Sequence, residues 1–533
     1  MTELRDFALE RLTRPGAAER HDTAVVHGDR SVSYEELDRA ADQVATGLTR
    51  LGLAGGGRVA YVGRNSLAVV ELMLGASRAG VVTTVVNWRL HPVELSYVID
   101  DFDPWLIVTT GEFADTLAAL PESAGAAVLV VGDGSGGGGP GHDWDEWRTG
   151  QPAEVPDLPE HSEDDVVLQL YTSGTTGRPK GAMLTRRSLG ACVPDTVSVW
   201  ELDPTSVVLS VLPMFHIAGA GTMLGALWAG SRLVIDNDAG AEHMLGVIES
   251  ERVTNLVLAS VLLQTLVEAQ KTLSADLSSL RTVSYGAAPI TGQVLQAAID
   301  SFGCRIVQAY GLTETAGVLC VLDAQDHSFD PNDPPQAVAR SIDRLRSCGR
   351  ARPGVELRIV DIQTGEVMPI GGVGEVQARS DRLMGGYWKR PDDTAEVLVA
   401  DGWFRTGDVG ELDADGYLFL RDRLRDTIIS GGENIYPAEV EDALQWHPDV
   451  VEVAVVGVPD DRWGESPRAV AVRAAGSSLT DEELIRFARS RLAAYKCPSG
   501  VDFVDALPRN ASGKVLRREL REPYWTGRDR RVN

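Results

Sequence analysis

The stretch Tyr171–Gly181, Tyr-Thr-Ser-Gly-Thr-Thr-Gly-Arg-Pro-Lys-Gly, limits what this chain can fold into more than any other. It follows the apolar segment Val166–Leu170 directly and reads as a strand feeding a loop that wraps an anion. Gly174, Gly177 and Gly181 let the backbone turn its N–H groups around a phosphate, Thr172, Ser173, Thr175 and Thr176 add short hydroxyl donors, and Lys180 adds a charge. The common P-loop ends in Gly-Lys-Ser/Thr, whereas here Gly177 precedes Arg178 and Lys180 precedes Gly181, so the segment is a different way of holding ATP. A flexible Gly/Ser/Thr linker fits poorly, because Pro179 and the apolar runs on both sides mark a strand, a loop and a second strand.

Bulk properties set the frame for that loop. At 533 residues the chain has room for about three or four structural units of the usual size. With 44% hydrophobic and 24% charged residues it is neither disordered nor fibrous. A net charge of −27 repels nucleic acid and anionic lipid, so a bound polyphosphate must be held by local cations. Cys192, Cys304, Cys320, Cys348 and Cys497 lack CxxC or His-rich spacing, which argues against a disulfide framework or zinc site and suits a reducing cytoplasm. The N-terminus has no basic-then-apolar leader and no run of 18 apolar residues occurs, so secretion and membrane spanning are not expected.

The pattern along the chain is α/β. Helix-period residues at Tyr34–Leu51 alternate with short apolar strands at Arg58–Val62 and Val81–Val86, and the same rhythm returns at Ser206–Leu212, Arg232–Asp236, Glu242–Glu251 and Asn255–Ala259. Gly132–Pro140 is low in complexity and has nothing to bury, so an exposed loop is expected there. Turn signals at Pro353-Gly354 and Pro369–Gly372 bracket short strands of a β-rich subdomain reaching about Arg421. The last hundred residues read as a small α+β unit, with a helix starting at Pro437, a strand at Val451–Val458, and a Thr480/Glu483 capping box ahead of a helix that carries Leu484, Phe487, Ala488 and Leu492. The expected division is a large domain at 1–421, a hinge at 422–426 and a mobile domain at 427–533; the charged run Asp422–Asp426 suits a hinge and equally a surface turn.

Together with Tyr310-Gly-Leu-Thr-Glu314, Trp403-Phe-Arg-Thr-Gly-Asp408 and Ser430-Gly-Gly-Glu-Asn434, the loop makes nearly the whole chain resemble the adenylate-forming (ANL) superfamily of acyl-CoA synthetases, aryl-CoA ligases, adenylation domains and luciferases. It is most similar to the bacterial fatty-acyl-CoA synthetase group, through Gly402–Val409 and Ile428–Pro437. The resemblance implies an ATP-dependent acyl-CoA synthetase: a carboxylic acid and MgATP give acyl-AMP and pyrophosphate, then coenzyme A takes the acyl group as a thioester. A carboxylate is a weak nucleophile that meets charge repulsion from ATP, so cations and oriented donors must neutralise the phosphates and align the reactants.

By the same resemblance, Glu314 and the Thr172 hydroxyl would hold Mg²⁺, Thr313 would donate to the α-phosphate, and Tyr310 would stack on adenine. Gly286, Ala287 and Ala288 would line the adenine and acyl pockets with Gly311 beside them. Asp408 would accept both ribose hydroxyls with Arg423 close by. Lys514 would bridge carboxylate and α-phosphate, Gly431 and Gly432 would line the CoA tunnel, and Arg425, where relatives carry lysine or aspartate, would pivot the small domain. His216 stands where the family has a gate or pocket residue and where amino-acid-activating relatives carry aspartate, so an α-amino substrate is not expected; a satisfied core histidine is the other reading. Gly219 and its small neighbours leave room for an acyl group or let helices pack closely. The partners implied are a small apolar acid, ATP and CoA, with the protein a monomer or homodimer. The alternatives are an acyl-AMP ligase loading a carrier protein and a non-catalytic adenylate-binding module.

Overall fold

The computed structural model describes residues 21–120, 125–132, 142–154, 160–173, 178–286, 292–327, 334–430, 433–460, 462–509 and 515–526. The chain divides into two compact units, Met1–Glu356 with Ala378–Phe404, and Leu357–Gln377 with Arg405–Asn533. The low-complexity stretch from residue 133 onward lies outside the described residues.

Two sheets organise the first unit. One has seven strands in the order His142–Asp143, Ala127–Val131, Leu106–Thr110, Arg58–Val62, Val82–Val86, Val166–Ser173, Pro179–Thr185. Its strands are parallel except for the last pair, which forms an antiparallel hairpin at the edge. Every residue of Arg58–Val62 and Val82–Val86 is buried, as expected for parallel strands covered on both faces. One covering layer is the helix Tyr34–Arg50, started by a Ser33/Glu36 capping box, whose Leu37, Val44 and Leu48 pack on the helix Leu67–Arg78. The second sheet has nine strands, with a parallel centre of Arg305–Leu312, Thr282–Gly286, Asn255–Ala259, Val207–Ser210, Arg232–Ile235 and Thr23–His27 and antiparallel strands at both edges.

In the second unit, Trp403–Leu412 pairs antiparallel with Leu418–Arg423, with Gly374–Arg379 and Glu356–Val360 following on its other side. A further sheet runs Glu433–Ile435, Ile428–Ser430, Gly464–Arg473, Val450–Asp460, and Val501–Phe503 joins Gly464–Arg473 in parallel. The helix Pro437–Gln445 begins with proline at its first turn, and Asp481–Arg489 begins at the Thr480/Glu483 capping box. Ile428, Ile435, Val440, Leu444, Val455 and Leu484 form the core between them.

Two boundaries differ from the sequence reading. The strand expected over Arg305–Gln308 continues to Leu312, because Gly317–Leu322 folds back antiparallel and supplies ladder partners to the polar motif itself. The helix expected to carry Leu492 ends at Arg489; the Leu492 N–H still reaches Ala488 O at 2.9 Å, so a loosened final turn returns that side chain to the core. Among the described residues no helix is long and apolar enough to cross a membrane, and all five cysteines are free thiols.

Candidate active site

The two strands expected on either side of the motif are present and pair antiparallel at the sheet edge. Ser173 pairs with Pro179 and Thr172 with Lys180, so the Thr172 hydroxyl and the Lys180 ammonium come from facing positions at the mouth of the loop. Gly174, Thr175, Thr176 and Gly177 lie outside the described residues. A buried polar chain anchors the hairpin from below. The Arg58 guanidinium, between the rings of Phe102 (4.1 Å) and Trp388 (3.7 Å), donates to Gln169 Oε1 at 2.7 Å. Gln169 Nε2 donates to the Tyr171 hydroxyl at 3.2 Å, which donates to Asp101 Oδ2 at 2.8 Å. Burial lowers Arg58 to about 10, and burial with the Asp101 charge pushes the Tyr171 phenol up, so Tyr171 remains a neutral donor at neutral pH.

Glu314 sits in the 3₁₀ turn Thr313–Thr315 that ends the strand Arg305–Leu312. Thr172 Oγ1 donates to Glu314 Oε1 at 3.1 Å and the Tyr387 hydroxyl donates to the same oxygen at 2.9 Å, while Glu314 O accepts from Met384 N–H at 2.8 Å. Among the described residues the Glu314 Oε2 atom takes no hydrogen bond. Lys180 pairs with Asp393 and lies 5.4 Å over the Tyr387 ring. Three regions distant in sequence therefore converge: the hairpin, the Thr313–Thr315 turn, and the stretch Met384–Trp388 with the helix Pro391–Val397 that follows it. The sequence reading did not include Tyr387 or Asp393; the only local signal is the Gly385-Gly386 pair ahead of Pro391.

Tyr310 is buried on its strand, opposite Cys320, and a β-bulge follows between Tyr310 and Gly311, which turns the motif out of regular register. A side chain at Gly311 would run into Gly317 O and one at Gly286 into Ala309 O, so both glycines are required by backbone packing. Gly286 ends the strand Thr282–Gly286, in which the Tyr285 hydroxyl shares a hydrogen bond with His327 Nε2 at 3.1 Å; Ala287 and Ala288 lie outside the described residues. His216 is the N-cap of the helix Ile217–Trp228. Its Nε2 is buried with no hydrogen-bond partner among the described residues, and burial, with the Arg89 charge adding to it, lowers its pKa to about 4. A side chain at Gly219, one turn on, would run into the carbonyls of Pro213 and Leu212, so the backbone there requires glycine.

The second unit carries the remaining residues. Asp408 and Arg423 face each other across the antiparallel pair, with Arg423 Nε 2.7 Å from Asp408 Oδ1 and the Asp408 side chain 5% exposed. Leu424–Asp426 is a single 3₁₀ turn between Leu418–Arg423 and Ile428–Ser430 and contains Arg425. Gly431, Gly432 and Lys514 lie outside the described residues, but their flanks are described. Ser430 pairs with Glu433 and Arg509 bridges to Val515. Just beyond, Arg517 is clamped by Glu441 at 2.6 Å and Asp422 at 3.2 Å.

Among the described residues no group of three or more His, Cys, Asp and Glu side chains is placed to hold a metal. One carboxylate with an open oxygen and one hydroxyl suit Mg²⁺, which is ordinarily held by one or two carboxylates and completed by water and the substrate's phosphates.

A family model described as AMP-binding enzyme matches residues 12–388, and one described as AMP-binding enzyme C-terminal domain matches 439–514. The chain is 39% identical to a feruloyl-CoA synthase of Amycolatopsis sp, over 95% of this chain and 96% of that one. It is 35% identical to the fatty acid–[acyl-carrier-protein] ligase ScoC of Streptomyces coeruleorubidus, over 96% and 95%. Among solved structures, ATP-bound MatB from Rhodopseudomonas palustris superposes with a TM-score of 0.86 at 30% identity, covering 97% of this chain and 99% of that one.

Proposed function

This chain belongs to the AMP-binding enzymes, in the acyl-CoA synthetase group of the adenylate-forming superfamily, and is an AMP-forming acid–thiol ligase using ATP and CoA; from that premise we propose which residues carry each step and what acid is activated. In the first half-reaction the acid's carboxylate attacks the α-phosphorus of ATP, and pyrophosphate leaves. In the second the CoA thiol attacks the acyl carbon of the adenylate, AMP leaves, and the thioester forms.

The observation that carries the residue assignment is the convergence of Thr172, Tyr387 and Lys180 on Glu314 and its surroundings. Lys180 and residues 172–177, including Ser173, hold the β- and γ-phosphates. Glu314 and Thr172 hold Mg²⁺, which when bound neutralises phosphate charge. Tyr387 fixes the Glu314 carboxylate so that its second oxygen stays open. Thr313, at the head of the same turn as Glu314, donates to the α-phosphate. Tyr310, Gly311 and residues 286–288 form the adenine side, and Asp408 with Arg423 takes the ribose. Lys514 neutralises the carboxylate and α-phosphate during adenylation. The small domain, 427–533, turns about Asp422–Asp426, with Arg425 at the pivot and Gly431 and Gly432 on the path of the CoA arm; the short turn at Leu424–Asp426 supports this division from 1–421.

The acid is apolar, fatty or aryl. A buried histidine that stays neutral offers no counter-ion for a substrate amine, so an α-amino acid is disfavoured at His216. Relatives named for feruloyl, indoleacetate and long-chain fatty acids fit this range. The likeness to a fatty acid–[acyl-carrier-protein] ligase favours one second reading, transfer to a carrier's phosphopantetheine rather than free CoA. Acid-dependent pyrophosphate release across fatty, aryl and amino acids, followed by thioester formation with CoA or with a holo-carrier protein, tests both points. Fatty or aryl acids should be turned over with CoA; turnover of amino acids alone would overturn the substrate class.

A further inference from the structure

The ion pair between Lys180 and Asp393 has a consequence for how nucleotide enters and pyrophosphate leaves. Lys180 is buried, with a side chain 10% exposed, and its ammonium meets the Asp393 carboxylate, itself 23% exposed. A cation so enclosed must be compensated, because an unpaired buried charge is costly. The pair is set by rigid parts. Asp393 lies in the first turn of the helix Pro391–Val397, where a carboxylate is favourably placed against the helix dipole. Tyr387 N–H donates to Thr394 Oγ1 at 2.9 Å, which fastens that helix to the segment whose phenol reaches Glu314. A side chain at Gly386 would approach Thr394 Cγ2 at 2.9 Å, so the approach of segment and helix is close. Arg390, just ahead of the helix, donates to Asp101 Oδ1 at 2.7 Å and to the Tyr97 hydroxyl at 2.9 Å.

We infer that Asp393 is an internal stand-in for the polyphosphate: it neutralises Lys180 in the nucleotide-free enzyme, gives it up to ATP, and takes it back as pyrophosphate departs. The inference rests on the reading of Lys180 as a polyphosphate ligand and adds a residue that sets how tightly that ligand grips. A phosphate chain outcompetes one carboxylate because it carries more charge and more acceptor oxygens for the three ammonium protons. The carboxylate nonetheless subtracts from net affinity, since ATP gains the lysine only by displacing it. Asp393 therefore weakens ATP and pyrophosphate alike and hastens release of the first product. It is a positioning residue and touches no reacting atom.

The test is titration of the full-length enzyme with ATP and with inorganic pyrophosphate by calorimetry. Asp393→Asn should tighten both ligands by roughly five- to tenfold, the range in which removing one close charge changes anion affinity. Asp393→Glu, which keeps the charge, should bind within about twofold of the parent, as should Asp392→Asn, which removes an exposed carboxylate one residue away. Lys180→Met should weaken both ligands by at least about tenfold, and Asp393→Asn added to it should then change nothing. Unchanged or weaker binding in Asp393→Asn alone overturns the inference. So does equal tightening by Asp392→Asn, which would make the effect one of general field rather than of the pair. Unchanged binding in Lys180→Met would instead defeat the underlying assignment of Lys180. Should Lys180→Met not fold, the Asp393→Asn, Asp393→Glu and Asp392→Asn series decides the inference by itself.

Discussion

In the first unit the carboxylate of Glu314 is reached by hydroxyls 142 and 73 residues away in sequence, whereas in the second unit the carboxylate of Asp408 is met by Arg423 on the strand beside its own. The first arrangement ties together segments that only a complete fold assembles. The second is local to one strand pair. A group braced from several directions tolerates loss of one brace, because the others still fix its geometry. A group paired with a charge across a ribbon exposes that charge when it is removed. The contrast separates a site that holds its shape through a network from one that depends on charge balance.

The largest effect is expected for Glu314→Gln, which keeps the shape and removes the charge. ATP–pyrophosphate exchange should fall by about 10²–10³, with little change in melting temperature. Asp408→Asn should act on both function and stability. KM for ATP should rise roughly tenfold, and a urea melt should show a loss of about 1–3 kcal/mol as the charge facing Arg423 Nε is removed. A stability loss in Glu314→Gln as large as in Asp408→Asn would break the comparison. Tyr387→Phe should cost only about three- to tenfold in kcat/KM for ATP, since Thr172 still reaches Glu314 Oε1. A loss equal to that of Glu314→Gln would make Tyr387 indispensable and the network no network.

The smallest effect concerns His216. Burial first, and the Arg89 charge second, take its pKa from the ordinary 6.5 to about 4. A base whose folded pKa is depressed contributes stability that is complete above pH 6.5 and lost as the pH falls toward 4. His216→Asn should therefore lose less melting temperature between pH 6.5 and 4 than the parent does. An identical acid-side loss in both proteins would contradict the buried, neutral assignment.

Much of this was legible in the sequence where the signal is local. The parallel strands announced themselves as apolar runs, and the Thr480/Glu483 capping box and Pro437 fixed two helix starts. The two strands that flank residues 174–177 were legible because an apolar run leads into the glycine- and threonine-rich motif and Pro179 marks where the second strand starts. Tyr387 and Asp393 were not, since their meaning lies in contacts with Glu314 and Lys180, 73 and 213 residues away. The buried Gln169 was equally silent: a polar residue within the apolar run Val166–Leu170 makes sense only beside Arg58, 111 residues earlier.

The central claim is that one chain runs two separable half-reactions, with Lys514 serving adenylation alone. Lys514→Ala should be assayed twice, by acid-dependent pyrophosphate release and by thioester formation from supplied acyl-AMP and CoA. The account predicts a loss of about 10² or more in the first and a rate within about threefold of the parent in the second. Equal loss in both, or none in the first, would contradict it.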